Sequence, residues 1–142
     1  VANELPPVLQ WPSARHLGAT ILGYDEETHT VEMAFTPPPE FATMRGQVQG
    51  GLLAGPLDEA FGAAVFLASG GKLQLTLDIN LSLLRPVSMN PITVKARAVK
   101  SGKCITFVEG ELFDHEGKLC ARATATSMTT DWPGQSKVEG DG

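Results

Sequence analysis

The chain has 142 residues and a formal charge of −5, a length that suits one domain with a substantial core rather than two. Apolar residues make up 42% and charged residues 19%, which excludes a disordered chain, and no apolar run is read as approaching the roughly 18 residues of a membrane span. The acidic balance and the lack of a basic stripe with interleaved aromatics argue against a nucleic-acid partner. Cys104 and Cys120 are too few for a disulfide framework or a metal set, and with no signal-peptide pattern they are read as reduced thiols of a cytoplasmic protein.

Residues 1–16 carry Pro6, Pro7 and Pro12 among scattered apolar residues. They read as an N-terminal arm, a short helix or an irregular lead-in, which Leu9 and Trp11 can anchor. Residues 17–130 read as the domain. Two extended runs, HLGATILGY and TVEMAFTP, flank the turn DEETH; Val31, Met33 and Phe35 alternate with Thr30, Glu32 and Ala34, and the pair predicts a hairpin. Pro37, Pro38 and Pro39 stop the second strand.

From about Leu52 to Ala68 the pattern becomes helical, with Leu57, Phe61, Ala64, Val65 and Ala68 on one face at about 100° per residue. Gly55, Pro56 and Gly62 make this a poor helix alone, so a sheet must supply most of its stability. Four strand-like runs follow: KLQLTLDINLSLLRP, ITVKARAVKSG, CITFVEGELFD and KLCARATATSM. Unbroken alternation from Leu73 to Leu83 predicts one leucine face and, opposite it, a polar edge of Thr76, Asp78 and Asn80. The DHEG turn sets Phe113 against Lys118, Glu109 against Arg122 and Cys104 near Ser127. Residues 131–142 read as a loose polar tail with Trp132 as its one anchor. The order predicts an α+β chain with one largely antiparallel sheet.

Asp58 is the informative residue. It lies about 60° from Phe61 on the helical wheel, bordering the buried stripe, whereas Glu59 falls on the far side and reads as a solvent-facing charge. A half-buried carboxylate needs donors, a cation or a functional water. Positions three and four residues away hold Ala54, Gly55, Phe61 and Gly62, so no local ion pair supplies one. Asp58 therefore either accepts bonds from a neighbouring element or acts as base or nucleophile. Gly50 and Gly51 open the same helix, where unpaired amides and the helix dipole favour negative charge and a missing side chain admits a carbonyl.

The stretches GQVQGGLLAGPLDEAFG and TLDINLSLLRP resemble those of hotdog-fold acyl-CoA thioesterases, in the branch of the phenylacetate-pathway thioesterase and the human thioesterase superfamily proteins. The matching positions are Gly46, Gln49, Gly50, Gly51, Asp58, Asn80 and Pro86, and the likeness spans about Leu17 to Met128. It implies a hotdog fold, an antiparallel sheet wrapped around a central helix. It further implies hydrolysis of an acyl-CoA to a carboxylic acid and coenzyme A, with no cofactor and no metal. Gly50 or Gly51 would supply an oxyanion amide, Gln49 would assist, and Asp58 would activate water or attack directly. Thr76 would help hold the water, and the site would lie between the subunits of a homodimer, or of a tetramer built from two.

Substrate contacts are expected from Thr43 and Asn80, from Leu53 and Phe61 along the acyl chain, and from Arg85 and Arg97 toward the phosphates, with Arg45 as a further candidate. Gln49 stands where many members carry histidine, and Thr43 where many carry asparagine. Those departures keep open a non-catalytic hotdog protein that binds acyl-CoA or another acyl ligand. A hydratase would need a placed histidine, and His16, His29 and His115 all fall in predicted turns or lead-ins.

Overall fold

A computed structural model describes residues 10–131. The expected anchors Leu9 and Trp132 therefore lie outside the described residues. Helix α1 spans Pro12–His16 and is followed by strands β1 (Thr20–Asp25) and β2 (Thr30–Phe35). The central helix α2 (Ala54–Ser69) precedes β3 (Leu73–Leu83), β4 (Ile92–Ser101), β5 (Ile105–Phe113) and β6 (Leu119–Thr130). All strand pairings are antiparallel and build one sheet in the order β1-β2-β4-β5-β6-β3. The expected α+β hotdog architecture is what the chain adopts.

The first run of the sequence divides differently from its expected strand. Pro12 starts α1, and extended backbone begins only at Thr20. At the other junction a 3-10 turn, Gly50–Leu53, leads into α2, so Pro56 sits in the first turn, where a missing donor costs little.

The sheet wraps the apolar stripe of α2. Leu57, Ala60, Phe61 and Ala64 are completely buried, each large side chain contributing about 1.5–3 kcal/mol by leaving water. Gly110 of β5 makes this approach possible, since a Cβ there would lie 2.7 Å from the Phe61 ring. By length and composition Gly50–Ser69 could cross a membrane, contrary to the reading that no such run exists. In the fold its stripe is instead covered by strands β2 to β6.

Strand β3 departs most from expectation. A bulge at Leu77 shifts its register on β6 between Thr76 and Asp78, and Asp78 Oδ1 accepts the Thr126 N–H at 3.2 Å there. Before the bulge Thr76 faces α2; after it Ile79 and Leu81 pack on the core. The predicted polar edge is thus split, with Thr76 inside and Asn80 on the outer face beside Arg97. Leu75 and Leu77 turn outward, about half exposed.

The β5–β6 hairpin ends two residues from the predicted register: the turn sets Phe113 against Leu119 rather than Lys118, and an irregularity between Leu112 and Phe113 adds the second residue. Arg122 meets Glu111 rather than Glu109, and the Cys104 carbonyl bonds Thr129 rather than lying near Ser127. Both cysteines are free thiols, Cys120 buried and Cys104 exposed.

Candidate functional site

Asp58 lies in the second turn of α2, half-buried at the border of the apolar stripe. Its Oδ1 accepts a hydrogen bond from the Thr76 hydroxyl at 2.8 Å. The bulge makes the pair, because it lets Thr76 point at the helix while Ile79 and Leu81 fill the core further along the strand. A cavity of about 300 Å³ opens beside it, lined by Trp11, Glu59, Gly62, Leu73 and Gln74. Gln74 is fixed by donating from Nε2 to the buried Ser127 hydroxyl at 2.6 Å.

The glycine pair stands at the other end of the helix entrance. Gln49 caps the 3-10 turn, its Oε1 accepting the Leu52 N–H at 3.0 Å. The capping amide lies over Gly51, where a Cβ would come within 3.1 Å of that oxygen. With its oxygen committed to the cap, Gln49 has its amino group to offer a ligand. Among the described residues no acceptor takes the Gly50 or Gly51 amide, the usual state of a first helical turn and one suited to a negative oxygen.

Gly50 borders a groove of about 520 Å³ that gathers Thr43, Arg45, Leu53, Leu83 and Arg85. Five residues expected from sequence, Thr43, Arg45, Gly50, Leu53 and Arg85, therefore meet in one place. Thr43 also shapes the groove's rim: its carbonyl accepts the Gly46 N–H at 2.9 Å and its hydroxyl the Arg45 N–H at 3.3 Å.

Other expected residues stand apart from both places. Phe61 is locked in the core against Gly110. Asn80 and Arg97 lie on the outer sheet face, where Arg97 donates to Glu109 at 2.8 Å. The Asp58 cavity and the Gly50 groove share no lining residue. Within one chain, then, Asp58 and Gly50 line different cavities.

The sequence reading missed Trp11, Gln74 and the role of Glu59. Gln74 sits two residues from Thr76 on the same side of an extended strand, a spacing that could have flagged it. Glu59, read as solvent-facing, accepts the Ser13 hydroxyl at 2.5 Å and ties α1 to α2; no sequence pattern announced that contact. Among the described residues no group of three or more His, Cys, Asp or Glu side chains could hold a metal ion. His16, His29 and His115 lie at the surface near Glu40, Tyr24 and Glu116.

Comparison with known proteins adds an independent line. The family described as the thioesterase superfamily matches residues 46–121. A solved structure from Ralstonia eutropha, described provisionally as a thioesterase related to phenylacetic acid degradation, shares 35% identity with a TM-score of 0.77. The match covers 88% of this chain and 92% of that one. A thioesterase structure from Haemophilus influenzae shares 24% identity over 87% of this chain and 86% of its own, with a TM-score of 0.77. A Saccharolobus solfataricus protein provisionally described as an esterase is 25% identical, covering 77% of this chain and 76% of itself.

Proposed function

The chain belongs to the thioesterase superfamily, and on that premise we propose that it hydrolyses acyl-CoA thioesters to a free acid and coenzyme A. The observation carrying this reading is the half-buried Asp58 held by Thr76 at 2.8 Å, in a cavity separate from the Gly50 groove of its own chain. Each chain offers two halves that do not meet, so a second copy completes the site. The edge strand β3, with Leu75 and Leu77 exposed upon it, is the surface for pairing, since an open sheet edge with outward leucines invites another strand.

In the reaction the thioester oxygen accepts the partner-chain counterpart of the Gly51 N–H, assisted by the Gln49 amino group. Asp58 takes a proton from water as its oxygen adds to the carbonyl carbon, and negative charge moves onto the oxygen at the helix start. Collapse of the tetrahedral adduct breaks the C–S bond. The proton passes from Asp58 to the departing coenzyme A thiolate, leaving the carboxylic acid. Direct attack by Asp58, giving a mixed anhydride that water then opens, uses the same groups. Arg45 and Arg85 supply the positive charge for coenzyme A phosphates at the rim of the Gly50 groove.

The test is release of free thiol from a panel of short, long and aromatic acyl-CoAs. Turnover that Asp58→Ala abolishes without loss of fold supports the proposal. Tight acyl-CoA binding with no thiol released from any member sinks the hydrolytic reading and leaves the acyl-binding protein.

A further inference from the structure

The cavity beside Asp58 has one wall that does not belong to the helix-and-sheet body. Trp11, the residue capping the start of α1, lines it together with Ser13. Gly62 lines it too, and its missing side chain leaves space: among the described residues a Cβ there would meet only the Gln74 Oε1, at 3.5 Å. At about 300 Å³ the cavity is at the small end for organic ligands.

The arm that carries Trp11 is fastened rather than loosely laid on. Ser13 donates to the Glu59 carboxylate at 2.5 Å, a charge-assisted bond of the short, strong kind. Ala14 and Leu17 are buried, and the Leu17 carbonyl accepts the Thr36 N–H at 2.8 Å. Glu59 is the residue next to Asp58, so the clamp sets Trp11 relative to the carboxylate itself.

We propose that Trp11 is a specificity-determining residue that closes the acyl end of the cavity and sets an upper limit on acyl size, with the Ser13–Glu59 bond positioning it. The inference rests on the reading that the reacting acyl group lies beside Asp58. Short or single-ring acyl groups fit between Leu73, Gly62 and the indole. Longer chains need the arm to lift, which costs the Ser13–Glu59 bond and the burial of Leu17.

The first test uses binding alone. The chain has two tryptophans, so in a Trp132→Phe background Trp11 is the sole emitter. Its fluorescence should shift with a non-hydrolysable hexanoyl-CoA thioether and stay unchanged with coenzyme A. Equal responses to the two, or none at concentrations that calorimetry shows to be saturating, overturn the proposal whether or not the protein is a hydrolase. The second test compares kcat/KM across the acyl-CoA series. Trp11→Ala should favour long over short acyl groups by about tenfold relative to wild type, Ser13→Ala should move the ratio the same way by less, and Trp11→Phe should keep the wild-type profile. A uniform fall across all chain lengths would make the arm merely structural. Absence of turnover in wild type would count against the hydrolytic reading and leave the fluorescence result to decide Trp11.

Discussion

The Thr76 hydroxyl donates to Asp58 Oδ1 across 2.8 Å, joining the edge strand to the central helix. The bond leaves the second carboxylate oxygen for a water and holds the first in place. Asp58→Asn or Asp58→Ala should lower kcat by about 10²–10⁴-fold, the range of a lost general base. Thr76→Val should cost about tenfold in kcat with little change in KM, consistent with loss of roughly 1–1.5 kcal/mol of positioning. Thr76→Ser should recover most of it. Steady-state kinetics on one good acyl-CoA substrate checks all four variants, and an unchanged kcat in Thr76→Val would detach that hydroxyl from the chemistry.

Separation of Asp58 from the Gly50 groove within one chain leads to a complementation experiment. Asp58→Asn and Gly51→Val chains should each be inactive alone, the second because a side chain at position 51 collides with the Gln49 cap. Refolded together in equal amounts, half the dimers are mixed and one of their two sites is intact, so activity should return to about a quarter of wild type. A site contained in a single chain would give no recovery.

The element order and the helix stripe were legible in the sequence because burial imposes a period on both. Leu57, Phe61, Ala64 and Val65 repeat at helical spacing, and all four are buried. The phase of β3 was hidden. Leu75 and Leu77 and the apolar residues at 79 and 81 continue one alternation in sequence, yet the bulge at Leu77 turns the second pair to the opposite face. A bulge adds a residue without changing composition, so an unbroken pattern conceals it. In the β5–β6 hairpin a similar irregularity, added to a turn one residue longer than expected, moved Arg122 from Glu109 to Glu111. The groove residues Thr43 and Arg85 are far apart in the chain; family resemblance singled out the first and a run of basic residues the second, and neither signal placed them together. The Ser13–Glu59 clamp had neither signal.

Gly110 faces a crowded point of the core. A Cβ there would stand 2.7 Å from Phe61 Cε1 and 3.2 Å from Leu57 Cδ2. Gly110→Ala should therefore destabilise the protein by about 1–3 kcal/mol, as overpacking of a dense core does. In combination with Phe61→Leu the loss should be smaller than the sum of the two single changes, because both act on one contact. Urea titrations at fixed protein concentration, with midpoints compared at constant slope, measure this.

The β5–β6 turn carries a pH-sensitive contact. Asp114 Oδ1 accepts the Lys118 and Glu116 amides, each at 2.9 Å. The Lys118 bond above all holds the carboxyl below its ordinary 3.8. Since folding depresses this pKa, the stabilisation is present above the unfolded value and is lost as pH falls through the folded one. Asp114→Ala should therefore lower the melting temperature near neutral pH, with the gap from wild type closing below about pH 4. A gap that stays constant through that acid range would assign the effect to something other than the carboxylate.

Thr106 and Ser127 face each other across β5 and β6, both buried, and only one of the two hydroxyls is used. Ser127 accepts from Gln74 at 2.6 Å, whereas among the described residues the Thr106 hydroxyl has no partner. Removing an unpartnered buried hydroxyl while keeping its shape relieves a desolvation penalty, but removing a used acceptor strands its donor. Thr106→Val should thus leave stability unchanged or raise it by up to about 1 kcal/mol, whereas Ser127→Ala should cost about 1–3 kcal/mol. Ser127→Ala also frees the Gln74 side chain that lines the Asp58 cavity, so it should raise KM for acyl-CoA when Thr106→Val does not. If Thr106→Val proved the more damaging of the two, its hydroxyl would have to be bonded to a buried water that bridges the strands.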